Sequence, residues 1–343
     1  MSATHADKAA PGRYTPPASP VVRIFQNRYA GALISLLLVG LFLTFTQPVF
    51  LSWPNLMNIV KSNSVVFVLS LGATYVVISG GVDLSVASAT AATAMVFGLI
   101  LQAGAPSVLA IPAALLFGAL LGAINGFLIA YLRISFFVVT LGALSIFQSF
   151  ALIVNDGTSV SVFSSPGFRL INNFVNGNIA SVPYLLIFDL ALLLIAGGIL
   201  RYTTFGRALY AIGANPEAAR LNGINVKIIL LAVFVIAGFM AGLGSIVQVG
   251  RLTSASTEVD PTLLMTVLAA VLIGGTAFTG GEGGVLGTMV GVLFLGVIQN
   301  GLTLSGVSSF WQGMVSGFIL ILAVWLGGLR QLIRRKRQAS VDA

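Results

Sequence analysis

The sequence predicts an all-α, polytopic membrane protein of about ten transmembrane helices, with two glycine-interrupted spans and one short cytoplasmic helix. Three observations lead there. The 343 residues are 57% hydrophobic and only 8% charged, with a mean hydropathy of +1.02; a soluble domain carries roughly a quarter of its residues as charges. Apolar runs long enough to cross a bilayer core roughly 30 Å thick recur from residue 30 to residue 328. The short alternating strands of a membrane β-barrel do not occur in the pattern.

Residues 1–29 are polar and contain four prolines, which predicts a disordered tail ahead of the first span. Arg23 and Arg28 precede the first apolar run, but no short basic start and small-residue cleavage site accompany it. That run therefore reads as an uncleaved anchor rather than a signal peptide. Spans follow at 30–46, 64–80, 84–101, 107–131, 134–153, 182–200, 228–247, 262–276, 285–303 and 310–328. Residues 30–328 thus form a single transmembrane domain, and 329–343 a basic tail.

Charge placement gives the orientation. With the N-terminus in the cytoplasm, 14 of the 17 Lys and Arg residues fall inside, and only Lys61, Arg169 and Arg251 outside. This is the positive-inside pattern, and an even number of spans returns the C-terminus to the same side. The net charge of +8 is accordingly a topology signal at span ends rather than a nucleic-acid surface. The implied location is a bacterial cytoplasmic (inner) membrane, multi-pass, with both termini cytoplasmic. Outside, residues 154–181 are rich in Asn, Ser and Gly, and 248–261 carry Arg251, Glu258 and Asp260. They read either as ordinary loops or as a docking surface for an extracytoplasmic partner.

Glycines at four-residue spacing mark where helix backbones can approach closely in lipid. They stand at Gly118, Gly122 and Gly126, at Gly283, Gly287 and Gly291, and in the pairs Gly238/Gly242 and Gly313/Gly317.

The apolar stretch 64–101 would be about 57 Å long as one helix, more than a membrane requires. It must break, and Ser79-Gly80-Gly81-Val82-Asp83-Leu84-Ser85 marks the place. A second break runs from Gly274 and Gly275 through Glu282 to Gly284, and Val77-Ile78-Ser79-Gly80-Gly81 echoes Val271-Leu272-Ile273-Gly274-Gly275. Both preceding spans run inward, so any repeat is parallel. Gly-interrupted segments at matching places in two halves point to a translocation pathway or gate, with Gly80, Gly81, Asp83, Ser85, Asn125, Gly274, Gly275 and Glu282 as its candidates. The same segments also fit tight cytoplasmic turns, with Asp83 capping the helix that follows. Asp189, Asn125, Gln148 and Asn300 lie within spans and should face the bundle interior or water.

No catalytic residue, metal site or cofactor-binding motif is evident. There is no G-x-x-x-x-G-K-[ST] loop, no G-x-G-x-x-G, no G-x-S-x-G elbow, no cysteine, and a single histidine, His5, in the tail. Energy must come from an ion gradient or from a partner that hydrolyses nucleotide.

Residues 201–227 form a charged island, with Arg201, Arg207, Glu217, Arg220 and Lys227 between two long apolar stretches. Asn215 can cap a helix, Pro216 suits its first position, Glu217 complements its positive end, and Gly223 can terminate it. The predicted helix, 216–222, has about two turns and is too short to be stable alone. It needs a partner or the headgroup surface.

At these residues the chain resembles a known family. The stretch from Phe205 to Ile224, including Gly206, Arg207, Gly213, Asn215-Pro216-Glu217-Ala218-Ala219-Arg220 and Gly223, is similar to the cytoplasmic motif of ribose-type sugar permeases of ATP-binding-cassette importers. Residues 79–85 resemble that family's T-G-G-I-D-L-S signature. Further resemblances are Gly122-Ala123-Ile124-Asn125-Gly126 followed by Phe137-Val138-Val139-Thr140-Leu141-Gly142, and Gly274-Gly275-Thr276 with Gly281-Glu282-Gly283-Gly284. The order is preserved from about residue 30 to 330; one departure is Phe136, where the family often has proline. The resemblance implies a permease dimer, two ATPase subunits that bind the ATP on the cytoplasmic side, and an extracytoplasmic sugar-binding protein. On it, residues 206–224 dock on the ATPase. The residues alone leave two other readings open: an ion-coupled transporter using Asp83, Asp189 or Glu282, and a membrane scaffold.

Overall fold

A computed structural model describes residues 30–258, 260–308, 311–322 and 325. The expected tails at 1–29 and 329–343 lie outside them, as do residues 326–328 of the last expected span. Every expected span has a helix. These are α1 (Ala30–Thr46), α2 (Trp53–Ile78), α3 (Val86–Gln102), α4 (Ser107–Ala130), α5 (Phe136–Ile153), α7 (Tyr184–Tyr202), α10 (Val226–Leu252), α11 (Pro261–Ile273) and α12 (Val285–Leu304), with α13 at Trp311–Leu322. Six of them, α2, α4, α5, α7, α10 and α12, are long and apolar enough to cross a membrane; α1, α3, α11 and α13 are shorter apolar helices.

Three further helices carry the polar segments: α6 (Phe168–Asn176), α8 (Thr204–Ala214) and α9 (Pro216–Leu221). Two small antiparallel pairs, Val160–Ser161 with Ser254–Ala255 and Asn178–Ile179 with Val182–Pro183, fasten the loops beside α6. The loop 154–181 is therefore structured, with Phe168, Ile171 and Val175 of α6 buried and Gly250 leaving room for Val175 and Ile171.

α2 begins eleven residues before the expected span, at Trp53 rather than 64. Pro54 in its first turn is tolerated there, and the polar start is held by specific partners. Asn55 and Asn300 exchange two amide hydrogen bonds, at 3.0 and 2.8 Å, and Lys61 Nζ donates to the Asn176 carbonyl. Hydropathy alone misses a helix start whose polar side chains are satisfied by neighbours.

The spaced glycines meet each other across a seam. A Cβ built at Gly118 or Gly122 of α4 would fall on backbone of Gly238 or Phe234 of α10, and one at Gly238 would fall on Gly118. A second seam joins Gly287 and Gly291 of α12 to Gly274 and Ala270 at the end of α11. In lipid no hydrophobic effect draws apolar helices together, so close backbone approach provides the van der Waals contact instead. Gly283 lies in the loop before α12, and Gly317 has open space around it; neither belongs to a seam.

The breaks are linkers between separate helices, each opening with the same cap. Amides of Ser79, Gly80 and Gly81 donate to the carbonyls of Tyr75, Val77 and Val76; those of Gly274, Gly275 and Thr276 donate to Ala270, Leu272 and Val271. Gly80 and Gly275 take positive φ, +84° and +87°, as this helix-ending motif requires. The echo is thus displaced by one residue: Gly80 corresponds to Gly275, not Gly274. Helices α3, α9 and α12 end in the same pattern, so the cap alone does not establish a repeat.

Among the intramembrane polar residues, Asp189 accepts from Ser64 Oγ at 2.9 Å, and Asn300 is paired with Asn55. Gln148 departs from expectation. It lies on the exposed side of α5, whose buried stripe is Val139, Thr140, Ala143, Phe147 and Ala151.

Candidate functional site

The island begins where α7 ends. Thr203 Oγ1 accepts from the Gly206 amide at 3.1 Å and so caps α8. Gly206 is buried, and a Cβ there would strike the carbonyls of Ile199 and Leu200. Phe205, Leu209 and Ile212 repeat at helical spacing; that pattern is the signal by which α8, missing from the sequence reading, was legible. Phe205 stacks on Tyr75 of α2 at 6.3 Å, and the Tyr75 hydroxyl donates to the Ala196 carbonyl of α7 at 2.7 Å.

Helix α9 forms where its caps predict. Asn215 Oδ1 accepts from the amides of Glu217 and Ala218, both at 3.0 Å. Gly223 ends it at φ +81°, with the Ile224 amide donating to the Ala219 carbonyl. Only Ala219 is buried; Pro216, Glu217, Ala218, Arg220 and Leu221 are exposed. Arg220 forms a fork on Glu217, and that hydrogen bond, then the Arg220 charge, holds the Glu217 carboxyl below its usual range. An exposed pair of this kind contributes little stability. Leu221, 76% exposed at the tip, was not among the expected site residues. Between α8 and the start of α10 lies a groove of about 580 Å³ lined by Phe205, Arg207, Ala211, Ile224 and Ile228 among others. Its lining is mostly apolar, with Thr204, Arg207 and Asn225 as the polar members.

The end of α8 meets both breaks. The Gly281 amide donates to the Ile78 carbonyl at 2.8 Å, linking the second break to the end of α2. A Cβ built at Gly213 would fall on that carbonyl and that amide together. One at Gly280 would lie 2.7 Å from Gly80 Cα and 2.9 Å from the Gly213 carbonyl. Tyr210 Oη donates to the Gly283 carbonyl at 2.9 Å. Three segments far apart in sequence thus share one backbone junction, which only glycine permits.

Of the remaining candidates, Asp83, Ser85 and Asn125 come together. Asn125 Nδ2 donates to Ser85 Oγ at 2.9 Å, and Ser85 donates to Asp83 Oδ1 from Oγ at 2.6 Å and from its amide at 2.8 Å. All three are buried, and Asn125 Oδ1 has no hydrogen-bond partner. Asp83 organises the linker, while Ser85 stands at the cap of α3. Gly81 faces the Phe136 ring, which a Cβ would approach to 2.8 Å, and Phe136 stacks on Phe234 at 6.1 Å. Phe136, the position where the sequence departs from the resemblance, thus places a ring in the space over Gly81. Gly274 belongs to the α11–α12 seam, Gly275 to the cap, and the Glu282 carbonyl accepts from the Ala277 amide within the second break.

This arrangement joins an exposed helix, α9, to the loops between the apolar helices. Comparison with known proteins places the chain among permeases. The chain is 34% identical over 300 residues to the ribose import permease protein RbsC of Escherichia coli (strain K12), covering 88% of this chain and 94% of that one. It is 37% identical over 300 residues to the probable ABC transporter permease protein y4mJ of Sinorhizobium fredii (strain NBRC 101917 / NGR234), covering 86% of each. It is 33% identical over 307 residues to the D-allose transport system permease protein AlsC of E. coli (strain K12), covering 89% of this chain and 93% of that one. No solved structure matches. Its relatives are permease subunits rather than enzymes, and the sugar-permease resemblance read from the motifs holds across most of the chain. With residues 55–324 matching its pattern, the chain belongs to the family described as the permease component of the branched-chain amino acid transport system.

Proposed function

We propose that this chain is the transmembrane subunit of an ATP-binding-cassette importer that moves a monosaccharide or related polyol inward by alternating access. The observation that carries the reading is α9: a capped, exposed helix with Leu221 at its tip, set on a junction with both breaks. A two-turn helix gains little from its own hydrogen bonds, and its exposed face is built for a partner. On this reading the segment 206–224 docks on cytoplasmic ATPase subunits, which bind the ATP, through the exposed face of α9 at residues 215–223. The family description names amino acids, whereas relatives that match this chain over most of their length are a ribose import permease and a D-allose transport system permease, and these favour a sugar as the substrate class.

The remaining assembly follows from the same reading. The six long and four shorter apolar helices are taken as ten crossings with both termini cytoplasmic, in a bacterial inner membrane. The ordered loop around α6 faces a sugar-binding protein outside. A second copy of the permease, or water beside it, covers the outward face of α5, where Gln148 would be costly against lipid. Asp83 and Asp189 accept hydrogen bonds from Ser85 and Ser64, a structural use of these carboxylates that needs no coupling ion.

Uptake of labelled D-ribose and D-allose into cells expressing the complete transporter tests this. Uptake is expected to require the ATPase subunit and to persist when an uncoupler collapses the proton gradient while ATP is held constant. Loss of uptake under the uncoupler at constant ATP would establish the ion-coupled alternative.

A further inference from the structure

Residues 206–224 do two separable jobs, and the geometry points to Gly213 and Tyr210 as transmission residues that pass movement of α9 to the two breaks without themselves holding the ATPase. This rests on the docking reading above. Residues 215–223 present the exposed surface, while Gly213, two residues before the Asn215 cap, faces inward onto backbone. There it covers the hydrogen bond from the Gly281 amide to the Ile78 carbonyl. One turn earlier on α8, Tyr210 holds the Gly283 carbonyl immediately before α12. The contacts at Gly213 are backbone against backbone, with no side chain between to yield, so displacement of α8 must displace what it touches.

What it touches is one body. Helices α2 and α12 are joined at two levels: the Asn55–Asn300 amide pair near one end, and the Thr74–Thr288 hydroxyl pair at 2.6 Å near the other. The junction grips this body at its cytoplasmic end, at Ile78 of α2 and at Gly281 and Gly283 ahead of α12. A push on α9 therefore reaches the α2–α12 pair directly through the end of α8, and not only along the covalent path through α10. Gly280 is glycine because a Cβ there would fall on the backbone of Gly80 in the first break, whereas Gly80 is glycine for its positive φ.

The test uses the assembled transporter, with its ATPase and binding protein, in liposomes. Co-purification of the ATPase, ATP hydrolysis and D-ribose uptake are measured together for Tyr210→Phe and Gly213→Ala. Tyr210→Phe removes the hydroxyl that donates to the Gly283 carbonyl while keeping the ring, so the protein remains assembled even where Gly213→Ala does not. For Tyr210→Phe the ATPase is expected to co-purify and to hydrolyse ATP within about two-fold of the parent, while sugar moved per ATP falls roughly five-fold, the size of one net hydrogen bond. Gly213→Ala, which drives a methyl into the linking hydrogen bond, should lower that ratio further. Uptake and hydrolysis falling in step, or an unchanged ratio in Tyr210→Phe, would overturn the transmission role while leaving docking intact. A parent chain that recruits no ATPase would overturn both.

Discussion

Replacing Gly122 by valine is expected to destabilise the fold strongly. A Cβ at this position would lie on the Phe234 carbonyl of α10, and the facing Gly238 is packed as closely against α4. Neither contact ends on a flexible side chain, so relief requires separating the two most intimately packed helices of the bundle. Overpacking costs about 3 kcal/mol at its upper range, a large fraction of the roughly 5–15 kcal/mol that holds a protein folded. The lost stability is measured as the monodisperse fraction after detergent extraction, together with the unfolding temperature. Gly40→Ala in α1 is the control. Its Cβ would meet nothing within 4 Å, and alanine favours helix by up to about 1 kcal/mol. This variant should be as stable as the parent or slightly more so.

Reversing the charge at Glu217 is expected to uncouple the permease from its ATPase while leaving it folded and inserted. Glu217 is exposed and pairs with the neighbouring Arg220, so the fold has little to lose. Lysine there opposes Arg220 and the positive end of α9, and presents the wrong sign to whatever meets the helix. Like-charge placement at an interface costs several kcal/mol, and roughly a tenfold or greater loss of ATPase recruitment follows. Gly223→Val should act in the same direction by another route. Space around Gly223 is open, but a β-branched residue is strained at φ +81°, so the α9 terminus and the groove at Ile224 would shift. Both variants are read by co-purification of the ATPase and by sugar uptake, with membrane insertion as the control. Normal recruitment in both would remove the docking role.

Much of this architecture was legible because membrane helices announce themselves by length and composition. The α4–α10 glycine seam was readable as spacing, although spacing could not say that Gly118 and Gly122 would face Gly238. The α9 caps are purely local, set by Asn215, Pro216 and Gly223, and local rules sufficed for them. The start of α2 was hidden because Asn55 and Lys61 are satisfied by Asn300 and Asn176, partners distant in sequence. The junction of Gly80, Gly213 and Gly281 was hidden for the same reason: each glycine is ordinary alone, and only folding brings the three backbones together. Gln148 shows the limit of the opposite assumption, that a polar residue in a span must face its own bundle.

The central claim is that the exposed face of α9, residues 215–223, meets a cytoplasmic ATPase. Because the chain contains no cysteine, a single Ala218→Cys substitution on the exposed face of α9 gives a site-specific probe in an otherwise unreactive permease. In the assembled complex, a short thiol–amine cross-linker is expected to join this position to the ATPase subunit. The same thiol in intact cells should resist a membrane-impermeant maleimide. Labelling from outside the cell, or a cross-linked product without the ATPase, would contradict the account.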